Sequence, residues 1–160
     1  MMLKLMIGVK GTGKTKTLIE MVNTAVSTSH GAVVCIEKGD KLRYDIKYQA
    51  RLINTEDFLV ADAQSLFGFV AGILASNHDV TDLFIDSALK ICNDDIPAFE
   101  KLLGELDALV TKTGTHLFIT SSMPADVASD VVKKYIWFTA DFIIFFRMQS
   151  LALTLHSDFL

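Results

Sequence analysis

Apolar and polar positions fall along the chain in two recurring forms. Short apolar runs occupy residues 3–7, 32–36, 82–86 (with an aspartate at each end), 116–120 and 142–146. Runs of this length rich in β-branched and aromatic residues predict strands of a parallel sheet covered on both faces. Between them, apolar residues return every three or four positions, which predicts amphipathic helices. These sets are Leu18, Ile19, Val22, Ala25 and Val26; Leu66, Phe67, Val70, Ile73 and Leu74; and Phe99, Leu102, Leu103, Leu106, Leu109 and Val110. Asp62 stands where it caps the second helix. Asn93-Asp94-Asp95 starts the third, with Pro97 in a first turn that tolerates a missing N–H. Gly68 and Gly72 lie four apart on the second helix, an arrangement expected to let another element pack closely. Residues 41–49 are polar and aperiodic and read as a loop, and 51–54 as a short strand. Pro124 is expected to open a short helix carrying Val127, Val131, Val132 and Tyr135. Residues 151–155 alternate after Gln149-Ser150, which predicts an antiparallel C-terminal edge hairpin with 142–146.

Strands alternating with helices at this spacing predict a single α/β domain over residues 1–160, with a mainly parallel central sheet flanked by helices and right-handed crossovers. In such sheets ligands sit at the carboxyl ends of the strands. Four strand ends converge there: residues 8–15, 37–40, 86–87 and 120–122.

The first of these ends carries the most specific chemistry. Gly8-Val9-Lys10-Gly11-Thr12-Gly13-Lys14-Thr15 fits G-x-x-x-x-G-K-[ST], which arises by chance on the order of once in a hundred chains of this length. The glycines let the backbone approach a ligand without a Cβ in the way, and successive N–H groups form a nest for anionic oxygens. A helix starting near Gly13 adds the positive end of its dipole. The predicted phosphate-binding residues are Gly8, Val9, Lys10, Gly11, Thr12, Gly13, Lys14, Thr15 and Lys16. Lys14 is the expected charge on the β- and γ-phosphates, and the Thr15 hydroxyl an expected Mg²⁺ ligand.

Asp86, delivered by the 82–86 strand, is the second expected Mg²⁺ ligand, working with Thr15; the alternative is an aspartate that caps the following turn. Thr120 and Ser121 end the strand expected to lie between the glycine-loop strand and the Asp86 strand. There they either touch the γ-phosphate and its water or cap the helix near Pro124. The candidate catalytic set is therefore Lys14, Asp86 and Thr120. Lys38, Asp40, Arg43 and Tyr44 are candidates for facing a second substrate, and Lys133, Lys134 and Arg147 for stabilising charge in a neighbouring subunit. Ser87, not a glutamate, follows Asp86, so no group to activate water is evident, and unaided hydrolysis is expected to be slow.

Composition narrows the partners. The net charge of −4 gives no general reason to bind nucleic acid or an anionic membrane. A hydrophobic share of 51% points to a sheet buried on both faces, or to an apolar patch used in self-association with a homo-oligomer or protein partner. The apolar runs 66–75 and 136–146 are too short to span a bilayer. The glycine motif begins at residue 8, which leaves no room for a signal peptide, and a cytoplasmic protein is expected. Cys35 and Cys92 lack C-x-x-C spacing and read as buried reduced thiols. His30, His78, His116 and His156 show no ligand spacing.

On the glycine motif and the 83–86 strand, the chain resembles the P-loop NTPases, whose three-layer fold binds ATP with Mg²⁺. The inserted strand before Thr120 is similar to the branch with RecA-like and AAA-type ATPases. Residues 7–15 and 34–40 more closely resemble small uncharacterised bacterial P-loop proteins sometimes labelled twitching-motility ATPases. The acidic and histidine boxes of a true pilus ATPase do not occur here. Lys38, Asp40, Arg43 and Tyr44 also resemble a loop of the thymidine-kinase fold, with altered spacing and without its zinc cysteines. With no N-K-x-D guanine motif, ATP is the expected nucleotide. Hydrolysis leads. Phosphoryl transfer to a small acceptor and nucleotide-gated binding without turnover remain open beside it.

Overall fold

The computed structural model describes residues 1–140. The expected hairpin of 142–146 with 151–155, and Arg147 and His156, lie outside the described residues. The chain opens with β1 (Leu3–Gly8), the glycine loop and α1 (Lys14–Thr28). Next come β2 (Ala32–Glu37), β3 (Arg51–Asn54), α2 (Ala63–Ser76) and β4 (Val80–Ile85). They are followed by α3 (Ala88–Ile91), α4 (Ile96–Thr113), β5 (His116–Ser122), α5 (Asp130–Lys133) and β6 (Ile136–Thr139). The six strands form one sheet in the order β3-β2-β4-β5-β1-β6, with every strand pair parallel. Helices cover both faces, giving a three-layer α/β fold of P-loop type. As expected, β5 lies between β1 and β4, and so brings Thr120 beside Asp86.

The two faces carry separate apolar clusters because side chains alternate along each strand. Leu5, Ile7, Ile36, Leu83, Ile85 and Ile119 point toward α2 and α4, where they meet Leu66, Val70, Phe99, Leu103 and Leu106. Met6, Cys35, Phe84 and Phe118 point the other way and meet Leu18, Val22 and Ala25 of α1. Leu42, Ile46 and Ala50, from the loop after β2, complete the smaller cluster.

The helix starts follow local chemistry. Asp62 accepts from the Ser65 N–H while Ser65 Oγ takes the Asp62 N–H, a reciprocal capping box. Asp95, the last residue of the expected Asn93-Asp94-Asp95 start, caps α4 through the Ala98 N–H. The helix expected from Pro124 is in fact two pieces. A 3-10 turn at Ala125–Val127 stops at extended Ala128, and α5 restarts because Ser129 caps the Val132 N–H. β6, at Ile136–Thr139, comes before the run expected to form the last strand.

Gly68 and Gly72 do not mark close packing. A Cβ built on either would meet nothing within 4 Å among the described residues. Both therefore only weaken α2, by about 1 kcal/mol each relative to alanine. Gly68→Ala and Gly72→Ala are each expected to raise the unfolding free energy by about that amount in urea titrations. A loss of stability in either would mean that a neighbour does press on that face.

Candidate functional site

The C-terminal edge of the sheet is where the predicted residues converge. Gly11 (φ 83) and Gly13 (φ 87) take left-handed backbone, which turns the loop back over β1 and into α1. Gly13 caps α1 without a side-chain bond, and no acidic residue stands in the first turn. The other two long helices begin instead with a carboxylate on their N–H groups. The start of α1 thus presents N–H groups together with Lys10, Lys14 and Lys16 on adjoining residues, a setting that favours an anion.

Lys14 is buried, at 7% exposure. Its Nζ donates to the Gly8 carbonyl (2.8 Å), the Val9 carbonyl (2.7 Å) and Thr12 Oγ1 (3.4 Å). Burial pushes its pKa below the usual lysine value, and the charge of Asp86 pulls it part of the way back. Thr12 Oγ1 also donates to the Val9 carbonyl at 2.7 Å, closing the loop on itself.

Asp86, also buried, is ringed by three hydroxyls. Thr15 Oγ1 lies 3.2 Å from Oδ1 and 3.4 Å from Oδ2, Ser87 Oγ donates to Oδ2 at 3.1 Å, and Thr120 Oγ1 donates to Oδ1 at 2.8 Å. Ser87 sits at φ 55, and its N–H donates to Thr120 Oγ1 at 2.8 Å, which holds this turn in place. Asp86 is therefore tied to the start of α1 through the Thr15 hydroxyl. Thr120 reaches Asp86 and does not line the open cleft. Ser121 lies in the sheet with its Oγ buried and unpartnered, and Ser122 is the residue of this strand end that reaches the cleft.

That cleft has a volume of about 400 Å³ and is lined by residues 10–15 of the loop together with Asp86, Ser87, Ser122, Lys41, Lys90 and Asp94. Gly8 lies beneath the loop, Val9 is exposed beside it, and Lys16 is exposed on α1 outside the lining. Lys41 and Lys90 were not evident as site residues in the sequence. Lys41 comes from the loop after β2 and Lys90 from the short helix α3, and only the fold brings both to the cleft. Of the candidates for a second substrate, Asp40 and Arg43 do line a neighbouring hollow of about 300 Å³, with Glu37, Lys47, Asn54 and Asp57. Lys38 and Tyr44 do not. Lys133 and Lys134 are exposed, and Lys134 lies over the Tyr135 ring at 5.1 Å. A larger hollow of about 600 Å³ runs along α1 past Met21, Thr24, Phe84 and His116, away from the glycine loop.

Glu37 is the residue that pattern reading passed over. It ends β2 at 2% exposure. Its Oε2 accepts from the N–H groups of Lys41 (3.0 Å) and Leu42 (3.1 Å), while Oε1 is buried with no partner. Burial raises its pKa above the usual glutamate value of 4.5. The Leu42 and Lys41 N–H groups oppose this, and the charges of Asp86 and Asp40 add to it. The same neighbourhood raises the Cys35 thiol, through burial first and then Asp86 and Glu37. Cys92, on the other face, is pushed up to about 12 by burial, with Asp62 and Asp95 adding to it. Both cysteines are buried free thiols.

The residues present fit a nucleotide and its cation. The glycine loop leaves open space where a Cβ at Gly11 or Gly13 would stand, Lys14 lies within the loop it would serve, and Thr15 meets Asp86. No family model matches the chain. No curated protein matches it either. Among solved structures, the chain is similar to C. elegans PCH-2, with 16% identity and a TM-score of 0.47. The likeness covers 86% of this chain and 34% of that one, so the chain spans about a third of its length. The functional reading therefore rests on the site itself. No described helix is long and apolar enough to cross a membrane.

Proposed function

We propose that this chain is a single-domain, cytoplasmic ATP-binding protein that hydrolyses ATP slowly, with Mg²⁺, alone or when stimulated by a partner. The observation that carries this reading is the Thr15–Asp86 contact beneath the glycine loop, with Lys14 buried alongside. The loop N–H groups and the start of α1 would hold the phosphates. Lys14 would exchange its bonds to the Gly8 and Val9 carbonyls for bonds to the β- and γ-phosphate oxygens. Thr15 and Asp86 would hold Mg²⁺, which when bound neutralises charge developing on those oxygens. Thr120 and Ser87 fix the Asp86 carboxylate through hydroxyl bonds, so its orientation is set before any ligand arrives. The apolar share of the composition supports self-association, and the net charge supports partners other than nucleic acid.

A second reading is phosphoryl transfer to a small polar acceptor. The hollow lined by Glu37, Asp40 and Arg43, beside the phosphate cleft, favours it. The test is release of phosphate from ATP with and without Mg²⁺. Mg²⁺-dependent release by the purified chain alone supports the hydrolase. ADP formation only when a nucleoside or other hydroxyl acceptor is added supports transfer. ATP binding with neither product leaves a nucleotide-gated binding module.

A further inference from the structure

A short loop leaves β2 and carries one lysine to the phosphate cleft. The last residues of β2 and β3, Glu37 and Asn54, are paired across the sheet, and the side chains of both brace this loop. Asn54 Oδ1 accepts the Gly39 N–H at 2.8 Å, and Glu37 Oε2 accepts the Lys41 and Leu42 N–H groups at 3.0 and 3.1 Å. Gly39 takes φ 91, left-handed backbone that reverses the chain there. Leu42, at 1% exposure, is sunk in the smaller apolar cluster. Residues 39–42 are thus held at both ends, while Lys41 stays exposed on the wall of the cleft. The Asp86 N–H donates to the Ile36 carbonyl at 2.9 Å, which registers the start of this loop against the turn that carries Asp86.

Lys10, Lys14, Lys41 and Lys90 line this one cleft, against Asp86 and Asp94. Among the described residues, Lys10, Lys41 and Lys90 are in no ion pair. Like charges gathered around one hollow repel one another until an anion joins them. The four are not equivalent. Lys10 and Lys14 belong to the glycine loop itself. Lys90 sits on the four-residue α3, with Asp94 close behind it on the same segment. Lys41 comes from the other side of Asp86: the strand order β2-β4-β5-β1 puts Asp86 between the Lys41 loop and the glycine loop. A phosphate held between the glycine loop and Asp86 therefore has the Lys41 wall on its far side. A charge fixed in place beforehand stabilises a transition state most, because nothing need reorganise as charge develops.

We infer that Lys41 is the cation that stabilises the γ-phosphoryl group in transit, supplied by the chain itself and not by a neighbour. This inference rests on the hydrolase reading of the cleft. In the step, the water oxygen forms a bond to the γ-phosphorus and the bond from the γ-phosphorus to the β–γ bridging oxygen breaks. ADP leaves with that electron pair. One water proton passes to a γ-phosphate oxygen, so the product leaves as dihydrogen phosphate and then gives up a proton to solvent. Lys41 keeps its own proton throughout, and nothing is oxidised or reduced. Its ammonium opposes the negative charge on the γ-oxygens and the bridging oxygen, which is greatest in the transition state. Glu37 and Asn54 are positioning residues, which act by fixing the loop. Lys133 and Lys134, the candidates for this role in a neighbouring subunit, lie at α5 outside the cleft lining.

The test uses the full chain and three readouts: affinity for ATP with Mg²⁺, affinity for ADP with Mg²⁺ and aluminium fluoride, which mimics the phosphoryl group in transit, and single-turnover phosphate release. Lys41→Ala is expected to bind ATP within threefold of wild type, to bind the aluminium fluoride complex about a hundredfold more weakly, and to release phosphate about a hundredfold more slowly. Lys41→Arg keeps the charge and is expected to stay within tenfold of wild type in all three. Lys38→Ala, on the same loop but outside the cleft lining, is expected to stay within threefold. Release by Lys41→Ala within threefold of wild type overturns the inference. So does a loss of release matched by an equal loss of ATP affinity, because Lys41 would then hold ground state and transition state alike. Lys41→Arg as slow as Lys41→Ala, or Lys38→Ala as slow as either, also overturns it, since neither result is one of charge at this position. Wild type that binds ATP and releases no phosphate overturns the hydrolase reading, and the inference with it, before any variant is compared.

Discussion

Lys14→Ala is expected to weaken ATP binding by about a hundredfold and, with it, to remove all measurable phosphate release. The estimate follows from two charge-assisted hydrogen bonds to phosphate at about 1.5–3 kcal/mol each, less what water recovers in their place. The fold is expected to survive with a modest cost. The Gly8 and Val9 carbonyls lose the Nζ that now bonds both. Against that, the variant no longer buries an ammonium whose pKa burial already lowers. Fluorescent-nucleotide titration beside a thermal melt separates the two effects. Undiminished affinity in a folded variant would sink the assignment of the cleft, since Lys14 is the one loop cation buried inside it.

Asp86→Asn is expected to leave ATP binding in the absence of Mg²⁺ near wild type, to abolish the tightening that Mg²⁺ brings, and to cut phosphate release by a hundredfold or more. The substitution keeps the size of the side chain but trades an acceptor oxygen for an NH₂ group among three hydroxyls that now donate to it. Thr120→Val is the companion variant. It removes the 2.8 Å bond that orients Asp86 without touching the cation, so it is expected to weaken Mg²⁺ dependence less than Asp86→Asn does. Isothermal titration across Mg²⁺ concentrations reads both. An Asp86→Asn chain with normal Mg²⁺ dependence would place the cation elsewhere.

Much of this was legible in the sequence because it is written in local pattern. The run around Ile7 and the glycine spacing after it define a strand, a turn and a helix start within one short segment. Asp86 was legible because a buried run ends on it. The position of β5 between β1 and β4 followed from the resemblance of the strand before Thr120 to the RecA-like and AAA-type branch, and Thr120 came with it. The burial of Glu37 was not legible, since it depends on register between β2 and β4 and on the loop that folds back onto its Oε2. Lys41 and Lys90 are exposed lysines like others in the chain until the segments that carry them are placed in the fold. The break at Ala128 was hidden because valines at 127, 131 and 132 continue a helical spacing, whereas Ser129 takes up the Val132 N–H and bonds Glu100, which fixes a fresh start. Gly68 and Gly72 misled for the opposite reason: spacing alone does not say whether a neighbour is present.

The unequal cover of the two sheet faces has its own consequence. Among the described residues, α1 is the only long helix over Met6, Phe84 and Phe118, whereas α2 and α4 together cover the other face. The helix that begins at the glycine loop is thus also the one with the least company. Its opening would unmake the anion site and the smaller apolar cluster in one event, while the half built on α2 and α4 stays closed. Nucleotide should therefore slow amide exchange most along residues 8–28 and hardly at all in α4. Proteases should likewise cut the ligand-free chain first within that segment, and ATP should shield it.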